Sequence, residues 1–181
     1  LYSGSVIAPW NADFPWRTGQ FLMKEGKMDE ACAAFGESLR LNPDQVMVHV
    51  TLAEAKLFLA QNAPKDTPEN TVKAVTLYNE SVQEARAALA LCPNLAAADD
   101  ILGRAASLCA TTLAAQERED VRARAREYWE TARDHLRRAV ANNQVQKNSA
   151  GLYRNLGRVC LALDDVEGTE DALARAAQAD L

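Results

Sequence analysis

The sequence predicts an all-α chain built from antiparallel helical hairpins, and three observations predict it. Thirty-four of the 181 residues are alanine, a composition that favours closely packed helices over sheets. All six prolines lie within the first 93 residues, so none interrupts a helix beyond that point. Three of them close similar phrases, Val6-Ile7-Ala8-Pro9, Leu39-Arg40-Leu41-Asn42-Pro43 and Leu89-Ala90-Leu91-Cys92-Pro93, each at the end of an apolar-periodic stretch. Proline cannot continue a helix and pushes the preceding residue out of the α region, so each phrase marks the loop after a helix.

The elements follow in order. Residues 1–11 read as the tail of a preceding hairpin, and because the chain opens on Leu1 it is expected to be a piece of something longer. The first complete hairpin is expected at 12–45. Gly19 and Ala31 are small where its two helices cross, Phe35 fills the space beside them, and Gly26 suits the left-handed end of the first helix. Asp29 and Glu30 suit the positive N-terminus of the second. A longer unit is expected at 46–95, its first helix running from Val46 to Gln61 with Ala53 in the place of Gly19. Its second helix is expected from about Glu69 to Leu91, with Thr67 or Asp66 as N-cap. A third unit, again lengthened, is expected at 96–149 from Leu102-Gly103, Ala132-x-x-x-Leu136 and Ala139. A fourth is expected at 150–181, after Ser149 as N-cap, with Tyr153-x-x-Leu156-Gly157-x-x-Cys160. Its second helix starts near Val166 and is expected to turn Leu173 and Ala176 inward.

Pro9 and Pro43 are 34 residues apart, and Gly19, Gly26, Ala31 and Phe35 stand between them at the offsets of a helix-turn-helix repeat. Residues 12–45 resemble the tetratricopeptide repeat. Departures from its pattern are Pro15 in place of the aromatic, Lys56 in the second unit and the absence of proline after 93. The resemblance implies a right-handed α-α superhelix whose concave groove, lined by the first helix of every unit, takes a peptide or a segment of a partner protein. Groove positions carried over by offset are Trp16, Arg17, Gln20 and Lys24, then Thr51, Glu54 and Phe58. Asp100, Arg104, Arg154, Asn155 and Arg158 are carried over from the last two units. Repeats of this family that clamp acidic chaperone tails use Lys, Asn and Arg at places here held by Trp16, Gln20, Thr51, Ala97 and Ile101, so that clamp is absent. Arg104, Arg154 and Arg158 leave an acidic peptide as a candidate ligand. The phrase from Ser5 to Asp13 is also similar to the soluble repeat tails of bacterial O-antigen ligase or polymerase-like membrane proteins, which gives the alternative of a non-catalytic domain of such a protein.

Other function classes find little support. A net charge of -5 disfavours nucleic acid, and the seven arginines from Arg118 to Arg138 are interleaved with six acidic residues counted from Glu117, as on a solvated face. No apolar run approaches the ~20 residues of a membrane span, and no secretory leader is visible. Cys32, Cys92, Cys109 and Cys160 form no CxxC pair and read as small buried residues in a reducing, cytoplasmic setting. His49 and His135 have no partner at metal-ligand spacing, and no catalytic triad or phosphate loop can be read. Neither catalysis nor a cofactor is therefore expected of these residues. Asp99-Asp100 and Asp164-Asp165 are read as partners of helix dipoles. Exposed ends make a homo-oligomer a further possibility, through Leu1, Tyr2, Val6, Ile7 and Trp10 at one end and Leu173 and Leu181 at the other.

Overall fold

The computed structural model describes residues 10–64, 66–114, 119–143 and 149–179, and among them are eight α-helices and no strand. The first four are α1 (Trp10–Lys24), α2 (Met28–Leu41), α3 (Val46–Asn62) and α4 (Pro68–Leu91); the others are α5 (Ala96–Ala114), α6 (Glu119–Asn142), α7 (Ser149–Ala162) and α8 (Val166–Ala179). Consecutive helices pair as hairpins, and the hairpins group into two compact units, residues 1–92 and 93–181. The helix starts at Val46, Ala96 and Val166 are those the sequence indicates. Of the residues expected at the array ends, Leu1, Tyr2, Val6, Ile7 and Leu181 lie outside the described residues, as does most of the expected tail; Trp10 opens α1 instead.

In the first unit, α1 packs on α2, α2 on α3, and α3 on α4. The core of the first three helices is Ala31, Phe35, Val48 and Leu52, with Trp16, Leu22, Met23, Cys32 and Leu39 packed around it. Phe35 presses so closely on α1 that a Cβ on Gly19 would overlap its Cε1 and lie 2.6 Å from its Cδ1. In the second hairpin Ala53 takes the place of Gly19, and Ala85 stands eight residues before Pro93 as Phe35 stands eight before Pro43. Less volume on one helix admits a methyl group on the other. Serine hydroxyls tie both hairpins: Ser38 Oγ donates to the Ala12 carbonyl at 2.8 Å and Ser81 Oγ to the Ala53 carbonyl at 2.7 Å. Each serine is fully buried, so the bond satisfies a hydroxyl that water does not reach.

The turn after α1 shows why Gly26 stands there. Gly26 has φ +76°, its N–H donates to Met23 O at 3.0 Å, and Lys27 N–H donates to Leu22 O at 2.9 Å. This is the two-bond C-terminal cap that needs a left-handed residue. Asp164 fills the same role after α7, at φ 60°, with Asp165 N–H donating to Cys160 O at 3.0 Å. At the other end of a helix, Thr67 caps α4 by accepting from Asn70 N–H at 3.2 Å, and Pro68 follows as the first helical residue. With 24 residues each, α4 and α6 exceed the 14 of α2 by almost three turns.

The second unit repeats the plan. α5 pairs with α6, α7 with α8, and α6 with α7, around Ala106, Ala132, Leu136, Ala139, Leu152, Val159 and Leu163. A Cβ on Gly103 would lie 2.6 Å from Leu136 Cγ and 3.2 Å from the Ala132 carbonyl oxygen. At Gly157 the nearest atoms are Leu173 Cδ2 and Cγ at 3.4 Å, an ordinary contact. Leu173 therefore touches α7 as expected, yet it is half exposed, and Ala172 and Ala176 are the buried residues of α8.

These distances separate three glycines that look alike in sequence. Gly19→Ala and Gly103→Ala should each destabilise the protein by about 1–3 kcal/mol through overpacking, whereas Gly157→Ala should be neutral or stabilising by up to about 1 kcal/mol through helix propensity. Urea denaturation of the three variants checks this ordering.

Candidate functional site

The first helices of the first unit present matched outward positions. Arg17, Gln20 and Lys24 on α1 stand 34 residues before Thr51, Glu54 and Phe58 on α3. Five of the six are exposed, and Phe58 retains 46% of its surface although apolar. Thr51 is half-buried and donates its hydroxyl to Met47 O at 2.8 Å, while Met47 itself is exposed and extends the stripe on α3. Trp16 stands apart from this set. Its ring centroid is 5.4 Å from that of Phe35, tilted by 49°, and the side chain is half-buried against the core.

In the second unit Arg154 and Arg158 are both exposed, one turn apart on α7, with Asn155 half-buried between them. Arg104 on α5 is engaged within its own helix: its Nε lies 3.0 Å from Asp100 Oδ2, and both side chains are mostly covered. Two of the three arginines expected to cluster thus share a face of one helix, and Arg104 stands on another, beside Asp100.

A buried polar cluster forms around Asp99, which the sequence assigns to a helix dipole. Asp99 is 1% exposed, and its Oδ1 is 2.8 Å from His135 Nδ1 and 2.9 Å from an Arg138 nitrogen. Arg138 also comes within 2.6 Å of His135 Nδ1, but that nitrogen cannot accept from Arg138 while donating to Asp99. Donation by His135 Nδ1–H and by the Arg138 guanidinium to the Asp99 carboxylate is the arrangement that satisfies the buried oxygen. In the first unit His49 Nδ1 is 2.7 Å from Glu84 Oε2 and its Nε2 is 2.9 Å from the Pro43 carbonyl. Lys56 Nζ adds contacts to Glu80 at 3.2 Å and Glu84 at 3.5 Å.

The two arrangements are the same tie with the charges exchanged. His49 and Asp99 are each the fourth residue of their helix, and Glu84 and His135 each lie seven residues before the last residue of theirs. Both histidines thus bridge the open end of a long hairpin. The signal in the sequence was a histidine and a carboxylate 35 or 36 positions apart, a separation that only the hairpin makes meaningful.

Among the described residues no group of three or more His, Cys, Asp or Glu side chains could hold a metal ion. Burial pushes the Cys32, Cys109 and Cys160 thiols up, away from the thiolate form a nucleophile needs. A depression of about 470 Å³ is lined by Thr131, Asp134, His135, Arg137 and Arg138. Its arginines are engaged, Arg138 with Asp99 and Arg137 with Asp165 at 3.3 Å. No described helix is long and apolar enough to cross a membrane.

Comparison with known proteins rests on structure alone, since no family model and no curated protein sequence matches the chain. The chain is similar to a thermophilic TPR protein of Thermus thermophilus, with a TM-score of 0.66, 22% identity, and 91% of this chain aligned to 72% of that one. It is similar to MamA of Desulfovibrio magneticus RS-1, with a TM-score of 0.65, 16% identity, and 93% aligned to 75%. The first TPR domain of Spaghetti (RPAP3), bound to the HSP90 peptide SRMEEVD, gives 0.62 at 16% identity, with 89% aligned to 99%. The fold is the helical-hairpin repeat fold of TPR proteins. α1, α3, α5 and α7 are the first helices of the four hairpins and carry every binding residue that the sequence nominates. The phrase that suggested an O-antigen ligase, Ser5 to Asp13, lies largely outside the described residues.

The exchanged ties make a prediction. His135→Asp alone sets two carboxylates together, and Asp99→His alone sets two histidines beside Arg138, so each single change should cost about 2 kcal/mol. The double variant Asp99→His with His135→Asp reproduces the polarity of the first unit and should recover most of the loss. A double-mutant cycle by urea denaturation should show coupling above about 1 kcal/mol.

Proposed function

We propose that the chain is a protein-interaction module that takes an extended segment of a partner protein along the outward faces of its first helices. The observation that carries this reading is the pattern on α1 and α3. Positions 20 and 54 are exposed in both repeats, as are 24 and 58, and between them they offer Gln20, Glu54, Lys24 and the large apolar Phe58. An exposed phenyl ring beside polar side chains is how a peptide-binding surface combines affinity with direction. The bound peptide of the RPAP3 domain supports a peptide ligand for this fold. Arg154 and Arg158 on α7 give the second unit a preference of its own for carboxylates, because a guanidinium pairs with them through two parallel hydrogen bonds.

The test starts from a random peptide display selected on the whole protein, followed by titration calorimetry with the recovered peptides. Phe58→Ser with Lys24→Glu should weaken binding at least about tenfold, the loss of one buried aromatic anchor. Arg158→Glu should weaken acidic peptides more than neutral ones. Arg124→Glu, on the exposed face of α6, serves as the control and should change nothing. Recovered peptides that bind all these variants equally would overturn the reading.

A further inference from the structure

Both ring nitrogens of His49 face acceptors. Nδ1 is 2.7 Å from Glu84 Oε2, and Nε2 is 2.9 Å from the Pro43 carbonyl oxygen. A neutral imidazole has one N–H and one lone pair, and neither an ionised carboxylate nor a backbone carbonyl has a hydrogen to offer that lone pair. With a single proton the ring would therefore press its lone pair against one of these two oxygens. With two protons it donates to both. If the second proton crosses to Glu84, the pair still holds it, so the count does not depend on where it rests.

The charges around the ring lead to the same count. From α3 itself comes Lys56, whose Nζ is 3.2 Å from Glu80 and 3.5 Å from Glu84. From α4 come those two carboxylates. The turn between α2 and α3 adds exposed Asp44. From α2, Cys32 faces Lys56 and Glu80 with a thiol that burial pushes up, while Glu37 and Arg40 pair with each other at 2.7 Å. Two glutamates against one lysine leave a negative charge, and the side chains of His49, Lys56 and Glu84 are largely covered. A second proton on His49 balances it.

The tie between α5 and α6 has no such need. His135 Nδ1 faces Asp99 Oδ1 at 2.8 Å, and Arg138 at 2.9 Å already supplies the opposite charge. A neutral ring with its N–H on Nδ1 completes that tie. We propose that the hairpin of α3 and α4 is a proton-dependent element: folded, it holds a second proton on the His49 and Glu84 pair, and loss of that proton opens the start of α3. The hairpin of α5 and α6 is indifferent to the same change, so the exchanged polarity of the two ties gives the two units different responses to pH. In an unfolded chain above about pH 7, an imidazole and a carboxylate hold one proton between them. The folded hairpin then binds the more protons, and its stability is present at lower pH and falls as the pH rises.

Long-range nitrogen-proton NMR spectra of the whole chain, made with isotope-labelled histidine, test the assignment; the chain has two histidines, so loss of one signal in either His49→Gln or His135→Gln identifies both. At about pH 7.5, where a free imidazole is mostly neutral, His49 should show two protonated ring nitrogens and His135 one. Hydrogen exchange over a pH series, corrected for intrinsic rates, should show protection of amides 48–52 falling by up to about tenfold per pH unit, the slope of a one-proton difference. Amides 98–102 of α5 should show no matching fall. In Glu84→Gln the new amide donates to Nδ1, so a neutral ring with its N–H on Nε2 satisfies both partners. That variant should keep its protection and lose the pH dependence. A wild-type His49 with a single protonated nitrogen overturns the proposal, and so does protection of 48–52 that is constant with pH. A slope that persists unchanged in Glu84→Gln overturns it as well.

Discussion

Both units depend on how closely two helix backbones can approach. At Gly19 and Gly103 the partner side chain occupies the volume that a Cβ would need, 2.6 Å from Phe35 Cδ1 in one case and from Leu136 Cγ in the other. Once that contact is fixed, helical periodicity decides the rest of the first helix. Ala12, Trp16 and Met23 share the side of Gly19 and turn toward the second helix, and Arg17, Gln20 and Lys24 are left facing away. The outward stripe on which the proposed binding face rests is therefore a consequence of the crossing.

The two long hairpins share a second contact. Their extra turns lie on the loop side of the crossing, since Ala85 in α4 and Leu136 in α6 stand as far from the end of their helices as Phe35 does in α2. The open end of each long hairpin carries the histidine-carboxylate tie, His49 with Glu84 and Asp99 with His135. Exchange of acid and base between the two shows that the geometry, rather than either residue, is what the position requires. Asp99 is the more demanding member because its carboxylate is almost completely buried, and donors from His135 and Arg138 offset the cost of removing it from water.

Much of this was legible in the sequence where the signal is local. Prolines and small residues placed the helices, Gly26 announced its left-handed turn, and Thr67 announced a cap, because each acts within a few residues of itself. Asp164 hid its own left-handed turn, since aspartate enters that conformation far less often than glycine does and so marks it weakly. Gly157 looked like Gly19, but whether a Cβ fits depends on Leu173, and the exposure of Leu173 depends on what covers α8. The tie of Asp99 to His135 was invisible for a similar reason: each is ordinary alone, and only the antiparallel hairpin brings them within 2.8 Å. Among the candidate binding residues, Gln20, Lys24, Glu54 and Phe58 were placed by offset, which the repeat preserves. Trp16 was placed the same way, and its ring turns to Phe35 because a large aromatic near a crossing gains more from the core than from solvent.

The two faces of α1 are neighbours on one cylinder. At about 100° per residue, Phe14 and Phe21 lie within a narrow stripe, Arg17 is only about 40° from Phe21, and Lys24 and Gln20 follow further round. Arg17 therefore borders both the stripe that corresponds to the buried face of α3 and the stripe that faces outward.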